Sequence, residues 1–84
     1  MSNIQSRYRR AMDWLETQLI ENPEDIKIAI KYDSVNLMVL RNATNLWVDY
    51  EENVDYILDG VNHDPNHPDN LSAIVWNNFR SKHL

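Results

Sequence analysis

Residues 26 to 32 decide the fold class of this chain, and they read Ile26-Lys27-Ile28-Ala29-Ile30-Lys31-Tyr32. Isoleucine or tyrosine occupies every second position, and lysine or alanine occupies the positions between them. This period of two is typical of a strand with one buried and one exposed face. The residues just before it favour the opposite interpretation, because Pro23-Glu24-Asp25 is a good helix start and Ile26, Ala29 and Ile30 also fit one helical face. We predict a strand over residues 26–32 and retain an all-α fold as the alternative.

Two more strands are predicted after this one. Asp33-Ser34 and the stretch Asn42–Asn45 have the composition of turns, and each is followed by an apolar segment. The first segment is the run Val35–Arg41, and the second is Leu46–Tyr50, which again alternates. Three antiparallel strands joined by two short turns are therefore expected.

Helices are predicted on both sides of this sheet. Near the N-terminus, apolar residues recur every three or four positions and indicate an amphipathic helix from about Asn3 to Glu21; they are Ile4, Tyr8, Met12, Leu15 and Leu19. A short acidic helix is predicted near Asn53–Asp59 with Gly60 at its end, and a C-terminal helix is predicted to begin at Asp69 or Asn70. The fold class is therefore α+β, with an N-terminal helix, a three-stranded antiparallel sheet, a short acidic helix and a C-terminal helix. One small globular domain accounts for residues 1–84.

The composition excludes several classes of function. The chain has no cysteine, so disulfides, zinc–thiolate sites and thiol catalysis are excluded. Its single glycine, Gly60, cannot build a phosphate-binding loop, which needs several positions of close backbone approach. No apolar segment like that of a signal peptide is visible, and the longest run of large apolar residues, Leu37–Leu40, is too short to span a bilayer. We expect a cytoplasmic protein that does not associate with membranes.

The charge is divided unevenly along the chain. The formal net charge is −5, yet no lysine or arginine occurs from Asn42 to Phe79. Five acids occur from Asp49 to Asp59, and Tyr50 and Tyr56 lie among them. We predict that this segment binds a partner protein with a basic surface, through Asp49, Tyr50, Glu51, Glu52, Asp55, Tyr56 and Asp59. The alternative is that the acids only keep the protein soluble and that the tyrosines belong to a thin core.

The loop after this segment holds the residues best suited to bind a metal. His63, Asp64, His67 and Asp69 lie within seven residues, and imidazole and carboxylate are ligands of zinc, iron and manganese. They match no known ligand motif, and a loop rich in proline, aspartate and asparagine is typical of a solvated turn. We therefore predict neither a metal nor a cofactor. Because no nucleophile with an activating base is recognisable either, we predict that the protein is not an enzyme.

The only basic cluster is Arg7-Tyr8-Arg9-Arg10. Arginines beside an aromatic ring can bind phosphate and stack on bases. Here Tyr8 belongs to the apolar stripe, Arg7 and Arg10 are predicted to lie on the polar side of the helix, and the acidity of the chain argues against direct binding of nucleic acid. A nucleic-acid-associated regulator that uses Arg7, Arg9 and Arg10 is therefore the weakest of the functions considered.

Taken together, these features favour a non-enzymatic protein-binding module. In composition only, an acidic chain without cysteine resembles the phage-encoded inhibitors that mimic the charge of DNA, which implies docking on a basic surface of a nucleic-acid-acting protein. The runner-up is a small structural or assembly protein that forms a homodimer or larger homo-oligomer. Sheet edges, or the face of the predicted sheet that carries Trp47, would then be buried between copies.

Overall fold

The N-terminal helix is confirmed. The computed structural model describes residues 4–84, so the start predicted at Asn3 lies outside the described residues. Helix α1 spans Ile4–Glu21 and turns Arg7, Ala11 and Leu15 into the core. The predicted apolar stripe lies along the flank of this row, since Leu15 is buried, Tyr8, Met12 and Leu19 are half-buried, and Ile4 is exposed.

The strand predicted over residues 26–32 is wrong, because these residues belong to helix α2 (Pro23–Tyr32). Pro23 occupies the first turn together with Glu24 and Asp25, where a missing N–H costs nothing and negative charge is favoured by the helix dipole. Ile30 is buried and Ile26 and Ala29 are half-buried, which is the helical face that the alternative interpretation identified. The helix start signals therefore prevailed over the period of two.

The other two predicted strands are also absent from the structure. Residues 37–43 form helix α3 (Leu37–Ala43), whose first amides donate to the side chain of Asn36. Residues 44–49 form a turn, in which Asn45 adopts a left-handed φ of 57° and Leu46 is buried. The Asn36 cap and the left-handed Asn45 are local features that favour a helix and a turn over a continuous ladder.

The only sheet in the described residues is a short antiparallel hairpin. It pairs β1 (Ile57–Leu58) with β2 (Val61–Asn62), and the predicted acidic helix near it is reduced to the single 3-10 turn Val54–Tyr56. Asp59 and Gly60 both have positive φ, 51° and 78°. This is the two-residue turn that matches the twist of a hairpin, and Gly60 therefore serves the hairpin and not a helix end.

Helix α4 (Pro68–His83) completes the chain and confirms the predicted C-terminal helix. It begins at Pro68, and its buried row is Leu71, Val75 and Phe79. Arg7 near the start of α1 donates to Asn66 just before α4, and residues near the C-termini of the two helices also contact each other, so the helices run in roughly the same direction. Glu16 of α1, for example, accepts hydrogen bonds from Lys82 and contacts His83 at the end of α4.

The second helix is fixed to the last one by two polar contacts. The indole Nε1 of Trp76 donates to Asp33 at 2.7 Å, and Nε of Arg80 donates to the carbonyl of Ile30 at 2.7 Å.

The protein is a mixed α+β fold that is mostly helical. Within residues 4–84, no helix is long and apolar enough to cross a membrane.

Candidate partner-binding arm

Residues 50–62 form an arm that leaves the helices and returns to them. The turn at residues 44–49 is its first root, and the loop at residues 63–67 is its second root. The hairpin forms its second half, and strand β2 ends next to the second root. The arm contains six of the seven residues predicted to bind a partner, and the seventh, Asp49, lies at the first root.

A single buried arginine joins the two roots. Arg7 is completely buried, and its guanidinium donates to the carbonyl of Leu46 at the first root and to the carbonyl and side chain of Asn66 at the second. Its Nε lies 3.4 Å from a carboxylate oxygen of Asp49, and its Cζ lies 5.8 Å from the centre of the Tyr50 ring. The prediction that Arg7 lies on the polar side of α1 is wrong, because Arg7 precedes Ala11 in the row that faces the core.

Asp49 is engaged inside the chain. It accepts two hydrogen bonds from Arg10, at 3.1 and 3.0 Å, in addition to its ion pair with Arg7. Arg10 also donates to the carbonyl of Thr44 at 2.7 Å. The carboxylate of Asp49 therefore helps to hold the first root. Arg7 is buried, Arg10 is paired and Arg9 alone is exposed, so the three arginines do not form a continuous basic surface.

Tyr50, the first residue of the arm, helps to hold its base. It is half-buried, its hydroxyl accepts a hydrogen bond from Asn62 at 3.2 Å, and its ring packs edge-on against His67 and Trp47. These contacts connect the first residue of the arm with its last and with the start of α4. The arm is consequently held at its base by both polar and aromatic contacts.

Beyond this base, every residue from 51 to 61 is exposed. The segment carries four carboxylates that have no ion-pair partner among residues 4–84; these free arm carboxylates are Glu51, Glu52, Asp55 and Asp59. Between them lie large apolar side chains with exposed fractions of 36–69%, namely Val54, Tyr56, Ile57, Leu58 and Val61. The arm thus presents apolar and acidic groups side by side to the solvent.

A groove of about 670 Å³ separates the arm from the start of α1. Ile4, Val54, Tyr56 and Pro65 give it apolar walls, and carboxylates line it as well, Glu51 and Glu52 among them. A larger and more open concavity of about 1050 Å³ runs along α1 itself, and its lining carries both signs of charge. The smaller groove is lined by four of the seven predicted partner-binding residues, namely Asp49, Glu51, Glu52 and Tyr56.

The residues considered for a metal have other roles in the loop. The carboxylate of Asp64, which is buried, accepts from the amide of Asn66, and Nδ1 of His67 accepts from the amide of Asp69 as the cap of α4. Asp69 forms an ion pair with Arg41 at 3.4 Å, and His63 is exposed. Within residues 4–84, no group of three or more such side chains converges on a metal position.

One carboxyl group with a displaced pKa, that of Glu16, lies in the C-terminal part of α1. Hydrogen bonds from Lys82 and His83 lower the pKa of Glu16 below its usual value. This cluster joins the C-terminal parts of α1 and α4 and is therefore a helix-to-helix contact.

The fold and the arm define a small, mainly helical α+β protein with an exposed acidic hairpin. No family model, curated protein or solved structure matches this chain.

Proposed function

We propose that this chain is a non-enzymatic protein-binding module whose arm docks on a basic surface of another protein. The observation that carries the proposal is the exposure of the whole segment from residue 51 to residue 61, where large apolar side chains alternate with the free arm carboxylates.

The apolar residues of the arm support a contact surface. Single exposed apolar side chains are ordinary, but a concentrated group of them rimmed by polar residues marks an interaction site. A two-stranded hairpin is marginally stable by itself, so such an arm needs support from outside its own strands. Arg7 supplies this support by joining the two roots. The arm is therefore held ready before a partner arrives, which reduces the entropy cost of binding.

The charge of the arm selects the partner. The free arm carboxylates have no lysine or arginine near them in the sequence, because none occurs from Asn42 to Phe79. Opposite charge on the partner would accelerate the encounter, and like charge would reject wrong partners. Proteins that act on nucleic acids carry grooves rich in lysine and arginine. In the specific form of the proposal, the arm occupies such a groove and inhibits the protein that owns it.

The test is a pull-down from the native host with three forms of the chain, analysed by quantitative mass spectrometry. The first form is the wild type, and the second is the Glu52→Lys, Asp55→Lys variant. The third is the control Asp13→Lys, Glu21→Lys, which reverses two exposed acids on α1 and changes the net charge equally. We expect a basic protein that acts on nucleic acid to be captured by the wild type and the control and lost with the arm variant.

A wild type that captures no basic protein would contradict the proposal, and so would either of two results of the comparison. One is equal capture by all three correctly folded forms, because the arm would then have no part in binding. The other is equal loss with both charge-reversed forms, because net charge alone would then explain the capture. In either case the acids of the arm serve solubility.

A further inference from the structure

A second surface with exposed apolar side chains lies on the outer side of α2. Ile28 and Tyr32 are 54% and 66% exposed, and Lys27 and Lys31 are exposed beside them. The two pairs form neighbouring rows, since residues four apart lie on one side of a helix. The ammonium of Lys31 lies 5.3 Å from the centre of the Tyr32 ring. These four residues are called the α2 face below.

The apolar side chains of the α2 face lie beside positively charged ones. The acids of α2 are Glu24 and Asp25, and both lie in its first turn. The helix after that turn carries Lys27 and Lys31 as its only charged residues. The α2 face therefore has the opposite charge to the arm and the same mixture of apolar and charged side chains.

The arm and α2 are attached to α1 at opposite ends. The arm is anchored by Arg7 near the N-terminus of this helix, whereas α2 begins just after its C-terminus and packs back against it. Within residues 4–84, none of the free arm carboxylates forms an ion pair with Lys27 or Lys31. The α2 face is therefore not occupied by the arm of its own chain.

We propose that the arm of one molecule docks on the α2 face of a second copy of this chain. Lys27 and Lys31 would face the free arm carboxylates, and Ile28 and Tyr32 would cover apolar side chains of the hairpin. The inference rests on the proposed function in one respect, namely that the arm is a docking surface. Because two different surfaces meet, the contact is head-to-tail and leaves one arm and one α2 face free at the ends of every assembly that does not close into a ring. A partner with a more basic surface would compete for the arm and shorten these assemblies.

A charge-swap experiment tests this contact by sedimentation equilibrium from micromolar to millimolar concentration. Wild-type chains should associate beyond a dimer, so that the average mass rises to several times the 10.0 kDa of one chain. The variants Lys27→Glu, Lys31→Glu and Glu52→Lys, Asp55→Lys should each remain monomeric alone, because each then repels itself at the contact. Mixed in equal amounts, they should associate again, since an inverted arm now fits an inverted α2 face.

Several results would overturn the inference. Wild-type chains that stay monomeric from micromolar to millimolar concentration would overturn it. A mixture of the two variants that stays monomeric would also overturn it. Association of either variant alone to the wild-type extent would also do so, because another surface would then form the contact. Circular dichroism establishes that each variant is folded. If the charge-reversed arm variant does not fold, Glu52→Gln, Asp55→Asn is used in its place. This neutral variant should associate severalfold more weakly than the wild type.

The same experiments separate this inference from the proposed function. A monomeric wild type that still captures a basic protein through its arm overturns the self-association alone. A chain that associates as described but captures no basic protein leaves the self-association standing and removes the proposed function.

Discussion

At the scale of single residues, Arg7 determines whether the arm has a defined position. Its side chain makes hydrogen bonds to residues about forty and sixty positions away in the sequence, at Leu46 and Asn66. Asp49 and Arg10 complete the polar group around it. Removing its guanidinium would leave the carbonyl groups of Leu46 and Asn66 without this donor, which is costly where the groups are buried. Arg7 is therefore both a core residue and the positioning residue of the arm.

The first prediction concerns this arginine. Arg7→Met should lower the free energy of unfolding by about 2–5 kcal/mol, because the carbonyl groups of Leu46 and Asn66 lose the buried donor that joins the two roots. Urea denaturation measures this loss. The control is Arg9→Met, which changes an exposed arginine of the same helix and should alter the stability by less than about 0.5 kcal/mol. Equal stabilities for the two variants would show that the buried network does not hold the fold together.

At the scale of elements, the apolar spacing of the sequence predicts the long helices clearly and the short segments ambiguously. Helices α1 and α4 were predicted because their apolar spacing extends over several turns, which leaves no competing interpretation. The segment that became α2 is short, and its isoleucines fit both a strand and a helix. The start signal Pro23-Glu24-Asp25 favours the helix, and packing against α1 and α4 supports it through contacts such as Arg80 to the carbonyl of Ile30.

The sequence of the hairpin contains a turn motif, but its apolar spacing also fits a helix. Asp59-Gly60 is flanked by Leu58 and Val61, and a dipeptide of this type between apolar residues is typical of a two-residue hairpin turn. The apolar spacing of Val54, Ile57, Leu58 and Val61 favoured a helix instead. The exposure of the acids followed from composition, but the engagement of Asp49 did not, because its partners Arg7 and Arg10 lie about forty residues earlier in the chain.

The second prediction distinguishes helix from strand at α2. In a strand, Ile28 and Ile30 would share one buried face, whereas in the helix Ile30 is 5% exposed and Ile28 is 54% exposed. Ile30→Ala should therefore cost about 2–5 kcal/mol of stability, and Ile28→Ala should change it by less than about 0.5 kcal/mol. Thermal or urea unfolding of dilute samples measures both values. Large and similar losses for the two variants would favour the strand.

At the scale of the whole molecule, the notable property is the separation of its surfaces. The helices share one core, formed around Leu15, Leu40, Val75 and Phe79, and the arm and the α2 face are two separate surfaces with exposed apolar side chains. One surface carries the free arm carboxylates and the other carries Lys27 and Lys31. A protein of this size has a small core, so the apolar side chains that the arm and the α2 face leave outside it are available for contacts with other molecules.

The most direct test of the central claim is the association rate of the captured basic protein with this chain, measured by stopped flow at several salt concentrations. The Debye length falls from about 30 Å at 0.01 M salt to about 8 Å at 0.15 M. If the free arm carboxylates guide the encounter, the rate for the wild type should fall steeply over this range. At low salt, Glu52→Lys, Asp55→Lys should slow it by about tenfold or more, and Asp13→Lys, Glu21→Lys should change it far less. A rate that is insensitive to salt, or equal in the two folded variants, would contradict the claim that the arm is the docking surface.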